Sequence, residues 1–429
     1  MTAAKMPAAC APWVRTRLRT APGISAALAV LLFLTAFLAA AFPRAVDAYE
    51  TKALRHGIAT APPRQSVLDV TTPPVSLGEP RPVREQGVRE EALAGVARAL
   101  PRTLPDPVRT DPGRSFYGVH TTKPIVAQEP WLPRPDAAPP RLHYAVPSAL
   151  TEHSRLSAGR WPVAHGEVGA DTREVEAAVT EETAAELKMK PGSTITVPSQ
   201  SGSPLTVRVT GVVEPLRPDD GYWSVDPLYR APSLVPDPGS PTPVLYWTAT
   251  LLLAPDTGPA LLDTTGEPEL YWRLVPDPAG LTAADAGRLG SAVAALEGGP
   301  ELLEIRSLVG PNAALTTELD ALLDAHTAMR EAIGPVVTVA AVGVGALAAV
   351  VLLMTGGLIG ARRHHELALL RSRGGSLSGI GGRLFAETAV AVLPAAALGL
   401  LLAVVLVGEA RWWPSVVGAA FVAVLVCLD

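Results

Sequence analysis

The amino-acid sequence predicts an α-helical membrane protein with four transmembrane helices and a large α+β extracellular domain inserted between helices 1 and 2. Three observations carry that expectation. Long uncharged apolar runs lie toward both ends of the 429-residue chain, and about 20 apolar residues suffice to cross the hydrocarbon core. Charged residues make up only 18% of the composition, below the roughly 25% usual in soluble proteins. The acids lie between the runs: residues 44–332 hold 26 Lys and Arg against 37 Asp and Glu, a net of −11.

Each segment follows from these runs. Residues 1–20 form a cytoplasmic tail with Lys5, Arg15, Arg17 and Arg19 and no acid. Transmembrane helix 1 is expected at 21–43, with ISAALAVLLFLTAFLAAAF at its centre. That core is longer than the roughly 7–15 apolar residues of a signal peptide, so a retained helix is expected. Helix 2 covers 333–360, reading IGPVVTVAAVGVGALAAVVLLMTGGLIG. A cytoplasmic loop follows at 361–383, then helix 3 at 384–408. A short outer turn at 409–413 includes Trp412 and Trp413, which suit an interfacial belt. Helix 4, at 414–429, is short, and the sequence stops within it. Arginines 362, 363, 371, 373 and 383 place the 361–383 loop on the same side as the N-terminal tail, by the excess of positive charge that cytoplasmic loops carry. The expected location is therefore the cell membrane, multi-pass, with the N-terminus inside and 44–332 outside.

Within 44–332 the clearest stretch starts at Ala177. Glu181–Lys188 reads as a short helix beginning near Thr180, Lys190-Pro191-Gly192 as a turn, and Thr194–Val197 as a strand. Ser199–Ser203 is a polar turn, and Leu205–Val213 alternates as a second strand, with Leu205, Val207, Val209 and Gly211 on one side. Further strands are expected at Ser66–Val70, Val244–Leu253 and Tyr271–Val275. Helices are expected at Arg89–Leu100, Ala283–Leu296 and Ala313–Ala332, the last running straight into helix 2. Pro-rich stretches at Pro130–Pro147 and Pro232–Pro243 read as loops or connectors.

The chemistry-bearing patterns are absent. The chain has no P-loop and no G-x-S-x-G, and the glycines of GIGGRL from Gly379 lack dinucleotide-binding spacing. In the spans, Gly356-Gly357 reads as a close-packing feature. Cys10 and Cys427 lie at opposite ends, which leaves 44–332 with neither a disulfide framework nor a thiolate zinc site. His364 and His365 are adjacent and diverge on a helix. His143, His153 and His165 fall in expected loops with no acid at ligand spacing. Asp219-Asp220, before Gly221-Tyr222-Trp223, reads as a solvated turn. No basic patch suggests nucleic acid. No catalytic, cofactor-binding or metal residue is assigned.

One cytoplasmic stretch remains, ARRHHELALLRSRGGS, Ala361 to Ser376. Glu366 to Arg373 is rich in helix formers. Leu367 and Leu370 share a face with His364, Arg362 and Glu366 pair at four-residue spacing, and Gly374-Gly375 end the helix. Ser376 can open the next helix. Arginines alone would fix topology; this amphipathic core suggests a surface for another protein.

With Glu387, these residues resemble the R-R-x-x-E-[IL]-A-L-L-R-x-x-G-[AGM]-[ST] pattern of FtsX-like ABC-transporter permeases, the MacB/LolC/FtsX or type VII group. Leu156–Trp161 (LSAGRW) and Ala184–Gly211 resemble the L-x-x-G-R and A-x-x-L…V-x-G-[VI] patterns of the MacB-like outer domain. The resemblance implies a MacB periplasmic-core-like fold for 44–332 and a non-catalytic permease subunit. ATP and magnesium would be bound by a separate cytoplasmic ATPase. Arg362, Arg363, Glu366, Leu367, Leu370, Arg371, Gly374, Gly375 and Ser376 would form the coupling helix that docks on it. Closure of the ATPase would then move the outer domain against lipids, lipoproteins, peptides or antibiotics. The implied partners are the ATPase, a second permease copy or homodimer, membrane lipid, and an extracellular substrate the sequence does not name. Many relatives continue into a second copy of spans and outer domain, so the chain is expected to be an N-terminal fragment of a two-copy protein or else to dimerise. The alternative reading is a membrane sensor or scaffold that regulates cell-wall hydrolases or antibiotic response without transport.

Overall fold

The computed structural model describes residues 22–74, 78–239, 244–362, 372 and 393–407. They fall into two compact units. One comprises Leu54–His326, the other Met1–Ala53 with Thr327–Asp429.

The Leu54–His326 unit is built on a mixed sheet of twelve strands. In chain order these are β1 (Leu68–Thr72), β2 (Phe116–Thr121), β3 (Ile125–Val126), β4 (Arg141–Pro147), β5 (Ser154–Gly159), β6 (Glu174–Thr180), β7 (Thr194–Val197), β8 (Leu205–Pro215), β9 (Ser233–Pro236), β10 (Leu245–Leu253), β11 (Pro268–Leu274) and β12 (Ala314–Thr316). The spatial order is β12-β1-β11-β2-β4-β10-β6-β8-β5, with β3 on β4, β7 on β8 and β9 on β10. Pairing is antiparallel except for β4 with β10 and β6 with β8.

Alternation along the strands sends side chains to two faces. On β11, Leu270, Trp272 and Leu274 join the larger core, with Val70, Val119, Leu142, Tyr144 and Leu251. The helices α2 (Glu90–Ala99), α3 (Ala286–Gly298) and α4 (Pro300–Val309) contribute Leu93, Val293, Leu296 and Ile305 to it. Trp272 donates its indole N–H to the carbonyl of Leu93 at 3.0 Å, which satisfies a buried donor. The opposite face holds a second cluster of Phe116, Ala145, Leu150, Tyr222, Trp223, Tyr229, Leu252 and Tyr271.

The local sequence logic holds where partners are close in sequence. The short helix forms over Glu181–Glu186 with the Thr180 hydroxyl accepting from Thr183 N. Gly192 takes φ +98° in the expected turn, and β7 pairs with β8 as the expected hairpin, Thr194 opposite Arg208. The inward alternation of β8 runs from Leu205 to Val209 and then shifts, since Ala177 faces Val209 and Ala178 faces Gly211. The Pro-rich stretches carry β4 and β9. One helix is shorter than expected. Ala314–Thr316 is strand, with Leu315 opposite Val70, and the following helix starts only at Leu319. Closing the open edge of β1 and burying Leu315 to 4% exposure outweighs the helix propensity of an Ala-Ala-Leu run.

In the other unit, α1 (Pro22–Thr60) crosses Pro43 without breaking and so extends well past the expected 21–43 span. Leu32, Ala36, Ala40 and Arg44 are buried at four-residue spacing, while Val30, Leu34, Leu38 and Phe42 are exposed. The buried stripe meets α6 (Leu393–Leu406) at Ala395 and Ala396. A Cβ on Gly399 would come within 2.8 Å of the Phe33 carbonyl oxygen, so glycine permits the close approach. Arg44 donates through Nε and Nη2 to the carbonyl of Val407, just past the end of α6, at 3.0 and 2.7 Å. That is the pole of a helix that favours a cation. The long helix α5 (Leu319–Arg362) carries the second apolar run. From Ala332 to Thr355 none of its described side chains is buried. Of the four expected spans, α1 and α5 are long and apolar enough to cross a membrane, and α6 covers part of the third. The fourth falls outside the described residues.

Candidate functional site

The expected coupling segment begins where α5 ends. Arg362 is the last residue of that helix, and Ser372 has helical backbone. Arg363, Glu366, Leu367, Leu370, Arg371, Gly374, Gly375 and Ser376 lie outside the described residues, as do His364, His365, Gly379 and Glu387.

The stretches Leu156–Trp161 and Ala184–Gly211 meet in space. Gly159, at the end of β5, has φ +76°, and a Cβ there would stand 2.1 Å from the Thr210 carbonyl oxygen and 2.9 Å from Pro191. A Cβ on Gly211 would stand 2.5 Å from the Arg160 carbonyl oxygen. Both glycines are needed where β5 crosses β8, beside the Lys190-Pro191-Gly192 turn. The next residue, Arg160, forks onto Glu176 of β6, with Nη1 to Oε2 at 2.5 Å and Nη2 to Oε1. Glu176 also accepts from Val163 N at 3.0 Å and lies 2.8 Å from His165 Nε2. Its side chain is 5% exposed. The hydrogen bonds from Arg160 hold its carboxyl down at about 2 against the opposing effect of burial. This carboxylate therefore fixes the loop that leaves β5.

A second buried charge lies on the aromatic face. Arg273 of β11 is 4% exposed, and its Nε lies 3.3 Å from Asp69 Oδ2 on β1. Its guanidinium sits 4.6 Å from the Tyr271 ring centre and 5.7 Å from those of Phe116 and Tyr229. Burial opposes its charge, yet Tyr229 and Asp69 keep its pKa above the ordinary arginine value. Burial raises the Asp69 carboxyl, with Arg273 offsetting only part of that, and pushes the Tyr271 hydroxyl up to about 12. Arg273 Nη1 and Asp69 Oδ1 are buried with no hydrogen-bond partner among the described residues. His120 stacks on Tyr271 with ring centres 5.0 Å apart and faces Glu269 at 3.5 Å.

The remaining sequence candidates have structural roles. His143, expected in a loop, lies in β4 with Nδ1 3.0 Å from the Thr121 carbonyl oxygen. His153 ends a short helix and stacks on Tyr222, ring centres 4.0 Å apart, and burial lowers its pKa. His165 does have an acid partner, Glu176, which sequence spacing did not reveal. Asp220 caps the turn Gly221–Ser224 through Gly221 N and sits 3.7 Å from Arg114, while Asp219 is exposed. Tyr222 and Trp223 behind them are core. Among the described residues nothing lies where a Cβ on Gly357 would go, while a close helix contact does fall at Gly399. A cavity of about 270 Å³ opens near Pro62, Pro63, Arg114, Asp219 and Val275. Among the described residues no three His, Cys, Asp or Glu side chains converge as metal ligands would.

The sequence reading missed the Glu176 and Arg273 networks. An Arg directly after a required glycine was visible for the first. For the second, an Arg inside an otherwise apolar strand, LYWRLV, was the available sign. No family model matches the chain, and no curated protein matches it.

Proposed function

We propose that the chain is the non-catalytic membrane subunit of an ABC transporter, in which a separate cytoplasmic ATPase drives movement of the outer domain. The observation that carries this reading is α5. Its first turns hold Leu319 and Leu323, 1% and 4% exposed, in the outer domain's core. The same helix then continues through an apolar run to Arg362, where the basic amphipathic ARRHHELALLRSRGGS stretch is already under way. The reading assigns α5 the transmission of movement from that stretch to the outer domain. Exposed apolar side chains such as Val336, Val339, Leu347 and Met354, at 66–72%, suit lipid contact. The chain would sit in the cell membrane with its N-terminus inside and the −11 outer domain outside.

The test is co-expression of the full chain with candidate ATPases. The expected result is a co-purifying ATPase whose turnover the permease stimulates, with complex formation lost in Glu366→Lys and Leu370→Asp. Unchanged complex formation and stimulation in both variants would remove the coupling role from this segment. An outer-domain partner whose activity changes with no ATPase engaged would favour a sensor or scaffold.

A further inference from the structure

The three helices described in the Met1–Ala53 and Thr327–Asp429 unit are held together in two unlike ways. Between α1 and α6 there is packing: Leu32, Ala36, Ala395 and Ala396 are buried together, Gly399 lies against the Phe33–Phe37 backbone, and Arg44 binds the Val407 carbonyl. Between α1 and α5 this unit has an ion pair, a few residues from where Leu54 and Ile58 of α1 and Leu319 and Leu323 of α5 share a buried core. Arg330 Nε lies 3.1 Å from Glu50 Oε2, with side chains 53% and 22% exposed. Beyond Arg330, the described side chains of α5 up to Thr355 are exposed or half-buried. A part-exposed pair of this kind is weak and reversible, whereas interlocked small residues are not readily separated. Glu50 and Arg330 both stand outside the apolar runs, where water can take over their hydrogen bonds when they part.

We infer that Glu50–Arg330 is a latch. It holds α5 in its resting position against the fixed α1–α6 pair, and it opens when α5 moves. The latch itself stands on the contact geometry; its use in transport rests on the function proposed above. Its strength suits a switch, because a part-exposed pair biases a two-state equilibrium only about twofold to fivefold, so modest work on α5 would release it.

Spin labels test this in the full chain in lipid nanodiscs, without an ATPase. Cys10 and Cys427 are first replaced by Ser, and labels are placed through Tyr49→Cys and Met329→Cys, both exposed at 67% and 51%. Electron-electron distance measurement should give a dominant short distance. Glu50→Gln and Arg330→Gln should each shift population toward longer distances, lowering the short-to-long ratio about twofold to fivefold. The exchanged pair Glu50→Arg with Arg330→Glu should restore it. Distributions that ignore both neutralising variants, or that the exchange fails to restore, would overturn the latch. If the latch behaves as expected while no ATPase ever stimulates, the proposed function falls and the latch stands. If an ATPase stimulates but the distances never respond to the charges, the reverse holds.

Discussion

Glu176 makes a sharp prediction at the scale of single residues. Its carboxyl is held at about 2, below an ordinary glutamate near 4.3. A depressed folded pKa contributes stability that is fully present above the unfolded value and is lost as pH falls toward the folded one. Thermal melting of the wild type should therefore drop between about pH 4.5 and 2 more steeply than that of Glu176→Gln, which should already melt lower at pH 7. Parallel acid profiles would remove the linkage. Gly159→Ala should lose about 1–3 kcal/mol from backbone strain alone, with further loss from collision with the Thr210 carbonyl, read from chemical or thermal unfolding. Neither effect could be computed from the sequence, although LSAGRW marked the place. Arg160 and Glu176 are 16 positions apart, and Asp69 and Arg273 are 204 apart. Nothing in local propensity links such pairs; only the sheet order brings them together.

At the scale of elements, the contrast between α1–α6 and α5 sets the expectations. Gly399→Leu overfills the contact with Phe33 and Phe37 and should lower stability in detergent by about 1–3 kcal/mol, whereas Gly357→Leu, with no neighbour among the described residues, should leave it near wild type. Arg44→Met removes two charge-assisted bonds to the Val407 carbonyl and should cost about 1.5–3 kcal/mol in the same measurement. Elements were legible where their cause is local. The β7–β8 hairpin follows from two alternating runs around a polar turn, and α2 follows from its periodicity. β12 was not legible, because Ala314–Thr316 is strand only by virtue of the open edge of β1. The length of α1 was hidden for a different reason. Pro43 and the charges after it read as an end, but a buried stripe continuing through Arg44 and Thr51 keeps the helix going.

For the whole molecule, the sequence announced apolar ends around an acidic α+β middle, and the twelve-stranded sheet with its two faces fills in what that middle is. The sheet's wiring, with sequence-distant strands such as β1 and β11 side by side, is a global solution that no window of sequence encodes. The expected coupling residues form an amphipathic pattern in the sequence, all but Arg362 lie outside the described residues, and their test is the ATPase co-purification proposed for Glu366 and Leu370.

A contact at the rim of the sheet bears on how such a domain survives in a crowd. Strand β7 is paired on one side only, and Thr196 turns its N–H away from that partner to bond Glu129 Oε1 at 2.6 Å. One donor that a neighbouring copy would recruit for strand-to-strand pairing is thus already occupied, and by a charged side chain. In the membrane location proposed above, copies would meet repeatedly in the same orientation, the arrangement in which a bare edge nucleates aggregates. Glu129 blocks one pairing position on this edge, so Glu129→Ala should fold but become more prone to self-association at high protein concentration.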